Sequence, residues 1–387
     1  MEIIATEARS PLTMQQTETI PSTPPSVPSP RLLSLDGLRG FDMLWIIGGQ
    51  NIVRGLAKAL PGKFSAAVAR QFEHVPWQGL HLFDVIWTLF MFIVGVSLSI
   101  SIRNRKQRGE SDGRILGHAL KRALIMFVLG MAAQGNLLDF SLVTLHPFYS
   151  VLHGIAAGYL IATIVTLKLR ARGQAVVTGI FLIVYWILLL VIPVPGVGRG
   201  VLTPTGNAAF YIDTLVQGGF HFGENTWFLS YPGFASSVLL GVLAGELLLS
   251  ARSQKFKCAL LFAYGAGLLG LGLLWSLWLP VIKLLWTSSF VLVAGGLSCL
   301  MMAIFYLIVD VAGYRKWVFP FSVIGANALA VYMATELYDF RQIGNIFVGH
   351  LLPRVGRWDD ALASSVAVLI IWLLLYWMYR TRTFIKL

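Results

Sequence analysis

Ten apolar segments recur along the chain, each close to the roughly 20 residues an α-helix needs to cross a bilayer. They lie at about 40–58, 82–102, 115–134, 149–168, 174–194, 230–250, 257–279, 286–311, 318–337 and 360–380. Hydrocarbon offers the backbone no hydrogen-bond partners, so each segment is predicted to be a helix. The expected fold is all-α, a polytopic membrane helix bundle of about ten transmembrane helices. Residues 1–30 break the pattern. They are polar and Pro-rich, as in Pro21-Ser-Thr-Pro-Pro-Ser-Val-Pro-Ser-Pro30, and lack the apolar core and cleavage site of a signal peptide. They read as a disordered cytoplasmic tail before a membrane domain over residues 31–387.

Charge decides the expected orientation. With the N-terminus inside, the flanks and loops on that side hold 21 of the 30 lysines and arginines. The densest cluster is Arg103, Arg105, Lys106, Arg108 and Arg114, and others surround Lys168, Arg170 and Arg172 and the end at Arg380 and Arg382. An excess at every second loop is what the positive-inside rule predicts for ten spans with both termini cytoplasmic. Two long loops fall on the other side, 59–81 and 195–229. Residues 64–72 within the first are expected to lie as a short helix on the membrane surface.

Composition agrees with the pattern. The 387 residues are 56% hydrophobic and 12% charged, about half the charged fraction of soluble domains. The net charge of +12 would suggest nucleic acid in a soluble chain. Here the positives sit in short loops between apolar runs and set topology, so the expected partner is the lipid bilayer and no nucleic acid. Two cysteines, Cys258 and Cys299, form neither a disulfide framework nor a usual metal cluster. No metal is expected.

Polar groups within apolar segments are costly and mark candidate function. The most crowded region runs from Asp36 to Asp84. Asp36, Arg39 and Asp42 are spaced by three and occupy neighbouring turns; they read as a helix-entry cap or as a phosphate-holding mouth. His74 precedes Asp84 by ten residues. A carboxylate bound to one imidazole nitrogen would leave the other as a base, while the plain reading is an interfacial histidine with Trp77 as a belt residue. Lys121 and Arg122 snorkel or bind anions. His153 is read as a polar contact between helices. Lys283, Asn327 and Glu336 are further candidates. P-loop and His-Glu-x-x-His signatures are missing, and the Gly-rich pieces Gly265-Ala-Gly267 and Gly270-Leu-Gly272 are read as close helix packing.

Several of these segments, in order, resemble the heparan-alpha-glucosaminide N-acetyltransferase family and its bacterial inner-membrane relatives. Leu35-Asp-Gly-Leu-Arg-Gly-Phe-Asp-Met43 resembles the family's opening. His74-x-x-Trp77-x-Gly79-x-x-x-x-Asp84, followed by Phe90-x-Phe92-x-x-Gly95-x-Ser97, is similar to the segment bearing its active-site histidine. Lys121-Arg-Ala-Leu, Asn207-x-x-x-Tyr211-Ile-Asp213, Leu239-Leu-Gly-Val-Leu-Ala-Gly245, Lys283-x-x-Trp286-Thr-Ser-Ser-Phe290 and Gly325-x-Asn327-Ala-Leu continue the series to about residue 340. The large N-terminal luminal domain of the animal enzyme has no counterpart here, so the bacterial branch is expected. Two positions depart: Thr88 stands where relatives usually have Pro, and Ile282 where they often have Asn.

The resemblance implies acetyl transfer from cytoplasmic acetyl-CoA to a glucosamine-type amino sugar reached from the outer side of a bacterial inner membrane. It implies His74 as catalytic base or acetyl carrier, oriented by Asp84. Arg39, Lys121 and Arg122 would bind the donor, and Lys283, Asn327 and Trp77 the acceptor. A homodimer is an expectation of the resemblance alone. The competing readings are a sugar or small-solute permease and an envelope polysaccharide O-acyltransferase.

Overall fold

The structure is a computed structural model that describes residues 32–385; the stretch 1–30, read as a disordered tail, lies outside them. The regular secondary structure of the described residues is helical, and their β pairing is confined to two isolated bridges, Gln78 with Ile282 and Val194 with Gly198. The helices are α1 (Leu33–Leu44), α2 (Gln50–Ala59), α3 (Lys63–Gln71), α4 (Val85–Gln107), α5 (Asp112–Ala133), α6 (Val151–Lys168), α7 (Ala171–Val191) and α8 (Ala208–Gln217). After them come α9 (Tyr231–Leu249), α10 (Gln254–Trp275), α11 (Ser288–Tyr306), α12 (Phe319–Ala326), α13 (Ala328–Leu337), α14 (Phe340–Val348), α15 (Leu352–Val355) and α16 (Asp359–Arg380).

Eight of the ten expected segments are helices long and apolar enough to span a membrane, and the bent pair α12–α13 makes a ninth among the described residues. The pair turns by 62° at Asn327, whose backbone leaves the helical region. The difference from ten falls on the first segment. There a π-helical stretch, Trp45–Gly49, separates α1 from α2, with Gly48 at a φ of 133°. Only 10 residues long and carrying Gln50, Asn51, Arg54 and Lys58, α2 does not qualify as a span by length or composition.

Helices α4, α9 and α11 are the most enclosed. Glycine lets α4 and α9 touch backbone to backbone. A Cβ on Gly95 would lie 2.0 Å from the Val238 carbonyl oxygen, and one on Gly241 2.0 Å from that of Phe92. Lipid gives helices no hydrophobic reason to associate, so close packing of this kind is the main attraction. Around that centre, α5, α7 and α10 keep much of their surface exposed. Leu120, Leu124 and Val128 on α5 are exposed at a spacing of four, one apolar stripe suited to acyl chains. This is the architecture of a membrane protein. Residues 64–72, expected as a surface helix, form most of α3, which buries no residue.

Candidate active site

Three loops meet at one end of the bundle: 72–84 before α4, 195–207 before α8, and 276–287 before α11. Trp77 Nε1 donates to the Leu202 carbonyl at 2.8 Å, joining the first loop to the second. Gly79 N donates to the Val281 carbonyl at 2.9 Å, and Gln78 pairs with Ile282, joining the first to the third. Ile282 is buried with Leu279 and Leu285 in a small apolar cluster packed by Trp77. The isoleucine that stands where relatives often carry Asn thus serves as packing for this junction. Thr88, the other departure, is buried in an uninterrupted α4.

The junction assembles His74, Asp84 and Lys283. His74 Nδ1 lies 2.7 Å from Asp84 Oδ1. Lys283 Nζ lies 3.1 Å from the same oxygen and 3.0 Å from His74 Nδ1. The other carboxylate oxygen, Oδ2, accepts the backbone N–H groups of Val75 and His81 at 3.2 and 3.1 Å. Asp84 therefore closes its own loop and is held at every lone pair that matters. The arrangement selects one tautomer: Nδ1–H donates to the carboxylate, and Nε2 keeps its lone pair. The Asp84 side chain is 2% exposed and that of His74 57%, so the anchor is sealed while the imidazole is accessible. Burial pushes the Lys283 ammonium below the usual lysine range, and Asp84 opposes that shift.

Lys283 owes its position to a turn in which Trp286 N donates to the Lys283 carbonyl at 2.9 Å. Trp286 takes a left-handed backbone with φ 55°, a conformation that costs about 1 kcal/mol or more outside glycine. Its fully buried indole, which donates to Ser237 Oγ at 3.0 Å, offsets that cost.

A cavity of about 250 Å³ opens beside the trio and is lined by His74, Lys283, Trp87, Gln134, Tyr332 and Glu336 among others. Trp87 Nε1 is buried without a hydrogen-bond partner. The sequence reading passed over Trp87, although it stands in the first turn of α4, three residues after Asp84 at that helix's N-cap.

A second cavity of about 350 Å³ contains Arg39, Arg122, Ser97 and Tyr159. Arg39 donates to Ser97 Oγ at 2.8 Å and pairs with Asp36 at 3.5 Å; Arg122 lies over the Tyr159 ring at 5.2 Å. The two cavities share four lining residues, Phe90, Leu152, Ile155 and Leu329. A thin apolar partition thus separates the imidazole end from the guanidinium end. Along α4, thirteen residues from Asp84 to Ser97 correspond to about 20 Å.

Three expected binding residues stand elsewhere. Trp77 lines neither cavity and ties loops together. Lys121 is exposed and lines neither cavity. Asn327 is 1% exposed; it donates to the Thr383 carbonyl at 3.2 Å and accepts from Ile385 N at 2.9 Å, fastening the C-terminal end to the helix break. Asp42, on the face of α1 once read with Asp36 and Arg39, is fully buried with neither carboxylate oxygen hydrogen-bonded. His153 is the helix contact expected of it: Nε2 donates to the Phe127 carbonyl at 3.0 Å and Nδ1 accepts from Ser150 N at 3.2 Å. Among the described residues no group of three His, Cys, Asp or Glu side chains is placed to hold a metal ion.

Comparison with known proteins follows the same residues. The family model for the catalytic part of heparan-alpha-glucosaminide N-acetyltransferase matches residues 31–273, which include His74, Asp84, Trp87, Arg39 and Arg122. The human protein of that name is 24% identical over 432 aligned residues, 92% of this chain and 60% of its own length. The mouse protein is 25% identical over 386, covering 82% of this chain and 56% of its own. The chain thus spans less than two thirds of these relatives. Since the matched region covers most of the chain and includes the His74–Asp84 pair, the chain belongs to the heparan-alpha-glucosaminide N-acetyltransferase catalytic family.

Proposed function

We propose that the protein is a transmembrane N-acetyltransferase that moves an acetyl group from acetyl-CoA to the amine of a glucosamine-type sugar. The observation that carries this reading is the His74–Asp84–Lys283 trio on one cavity, with Arg39 and Arg122 across a thin partition in another. CoA is anionic and cannot cross lipid. Its phosphates suit the guanidinium end, and an extended pantetheine arm suits the distance to the imidazole end. On the charge asymmetry of the loops, the guanidinium end is cytoplasmic in a bacterial inner membrane, and the sugar arrives from outside.

In the reaction, His74 Nε2 takes a proton from the acceptor amine as its nitrogen attacks the thioester carbonyl. The C–N bond forms, the C–S bond breaks, and the CoA thiolate leaves with the proton from the imidazolium. Asp84 holds the ring and stabilises its charged form. Trp87 Nε1–H, buried and without a partner, is a donor suited to the carbonyl oxygen as it gains charge; Lys283 adds positive charge at the same end.

The test is acetyl-CoA turnover by the purified chain with glucosamine as acceptor, comparing wild type with His74→Ala. Acetylated sugar from wild type and none from a folded variant supports the reading. Absence of both turnover and acetyl-CoA binding overturns it, and sugar uptake into vesicles without acetyl-CoA would then favour a permease.

A further inference from the structure

The mechanism leaves one large cavity unused. It measures about 710 Å³ and lies between the C-terminal ends of α4, α6 and α9 and the start of α7. Its chemistry is two-sided. Arg103, Lys106, Lys168 and Arg170 line it, and Lys168 and Arg170 carry no ion pair among the described residues. The first turn of the 21-residue helix α7 begins at Ala171 on the same wall, adding backbone N–H groups and the positive end of a helix dipole. Against these donors stands an acceptor. Gln174 is 2% exposed; its Nε2 donates to the Leu169 carbonyl at 2.9 Å, which fixes the amide, and its Oε1 is left buried without a partner. The Glu246 carboxylate lines the cavity too.

A bare phosphate would satisfy the cations and leave Gln174 Oε1 and Glu246 facing more oxygen. A choline headgroup offers no hydroxyl to either. A phosphodiester carrying hydroxyl groups satisfies both sets: the phosphate meets Lys168, Arg170 and the α7 N-terminus, and the hydroxyls donate to Gln174 Oε1 and Glu246. The cavity sits at the ends of four candidate membrane spans, the depth at which lipid headgroups lie, and basic pockets between spans are suited to anionic headgroups.

We propose that this cavity binds the headgroup of an anionic, hydroxyl-bearing phospholipid of the phosphatidylglycerol class. The site is separate from the trio at His74 and does not depend on the chain's being an acetyltransferase.

The test is native mass spectrometry of the full chain, purified in neutral detergent and titrated with phosphatidylglycerol, phosphatidic acid or phosphatidylcholine. A thermal-shift arm uses soluble glycerophosphoglycerol, the same headgroup without acyl chains. Phosphatidylglycerol is expected to bind tightest, phosphatidic acid a few-fold more weakly and phosphatidylcholine weakest. The exposed double variant Lys168→Gln/Arg170→Gln should weaken phosphatidylglycerol binding by about 5-fold or more, since each basic residue near a headgroup contributes measurably. The equal charge loss Arg380→Gln/Arg382→Gln, at the end of α16, should change it less than about 2-fold. Gln174→Met should remove the preference for phosphatidylglycerol over phosphatidic acid. Equal binding of the three lipids by wild type, or equal loss in both double variants, overturns the proposal. Glycerophosphoglycerol binding as tightly as the lipid overturns its assignment to a membrane headgroup.

Discussion

Asp84 and Lys283 stand 199 positions apart in sequence, and Nζ of Lys283 lies 3.1 Å from Oδ1 of Asp84. That oxygen also receives Nδ1 of His74, so one buried carboxylate fixes an imidazole and an ammonium together. Removing either partner leaves Asp84 with charge in a poorly hydrated place, a costly state.

Lys283→Met is therefore expected to lower kcat by about 10-fold or more, and Lys283→Arg to restore part of it. Asp84→Asn goes further, because an amide can present its NH₂ to Nδ1 and favour the wrong tautomer; a loss of about 10³-fold or more is expected. Steady-state turnover on variants that retain the wild-type thermal transition checks both. An Asp84→Asn enzyme of near-normal kcat would remove Asp84 from the mechanism.

Trp87→Phe separates catalysis from packing. The ring contacts to Trp286 at 4.5 Å and Phe234 at 5.6 Å stay possible, and only the unpartnered N–H is lost. Stability should hold or rise slightly, since an unsatisfied buried donor is removed. If the N–H stabilises the transition state, kcat falls about 10- to 100-fold with KM for acetyl-CoA little changed. Unaltered kcat would rule Trp87 out as that donor.

Gly241→Ala tests the contact of α4 with α9. Its Cβ would meet the Phe92 carbonyl oxygen at 2.0 Å, so the helices must part, at about 1–3 kcal/mol. Gly267→Ala on α10, where a Cβ meets nothing within 4 Å, should be neutral or slightly stabilising. Thermal denaturation of the two variants in one detergent gives the comparison, and equal midpoints would contradict the packing argument.

Asp213 on α8 predicts a pH dependence. Burial pushes its carboxyl up to about 6, against the N–H groups of Phe228 and Trp227 that favour the charged form. The folded state thus holds this proton more tightly than the unfolded one. Stability from this group is full below about pH 4 and declines as pH rises through about 6, by roughly 2–3 kcal/mol in total. Asp213→Asn should flatten that part of the profile. Thermal midpoints from pH 4 to 7 measure the difference, and identical slopes for wild type and variant would refute it.

The membrane architecture was legible because hydropathy over 20 residues responds to the solvent of a helix, whatever its neighbours. Where the structure departs from the reading, the cause is local. Gly48 with the polar residues of α2 breaks the first segment, and Asn327, read as a sugar ligand, meets the backbone of Thr383 and Ile385. A buried Asn satisfying a helix break and one binding a sugar have the same sequence signature.

By itself the sequence determined the apolar helices, the family, and the candidacy of His74 and Asp84, whose ten-residue spacing leaves one loop to join them. Tertiary structure decided the rest: that Lys283 completes their contact, that Trp77 pins loops, that Lys121 faces outward, and that Arg39 and Arg122 share a cavity behind Phe90. Hydropathy and short motifs are properties of neighbours along the chain. A hydrogen bond across 199 residues depends on how three loops are pinned, and that pinning follows from the packing of the whole bundle.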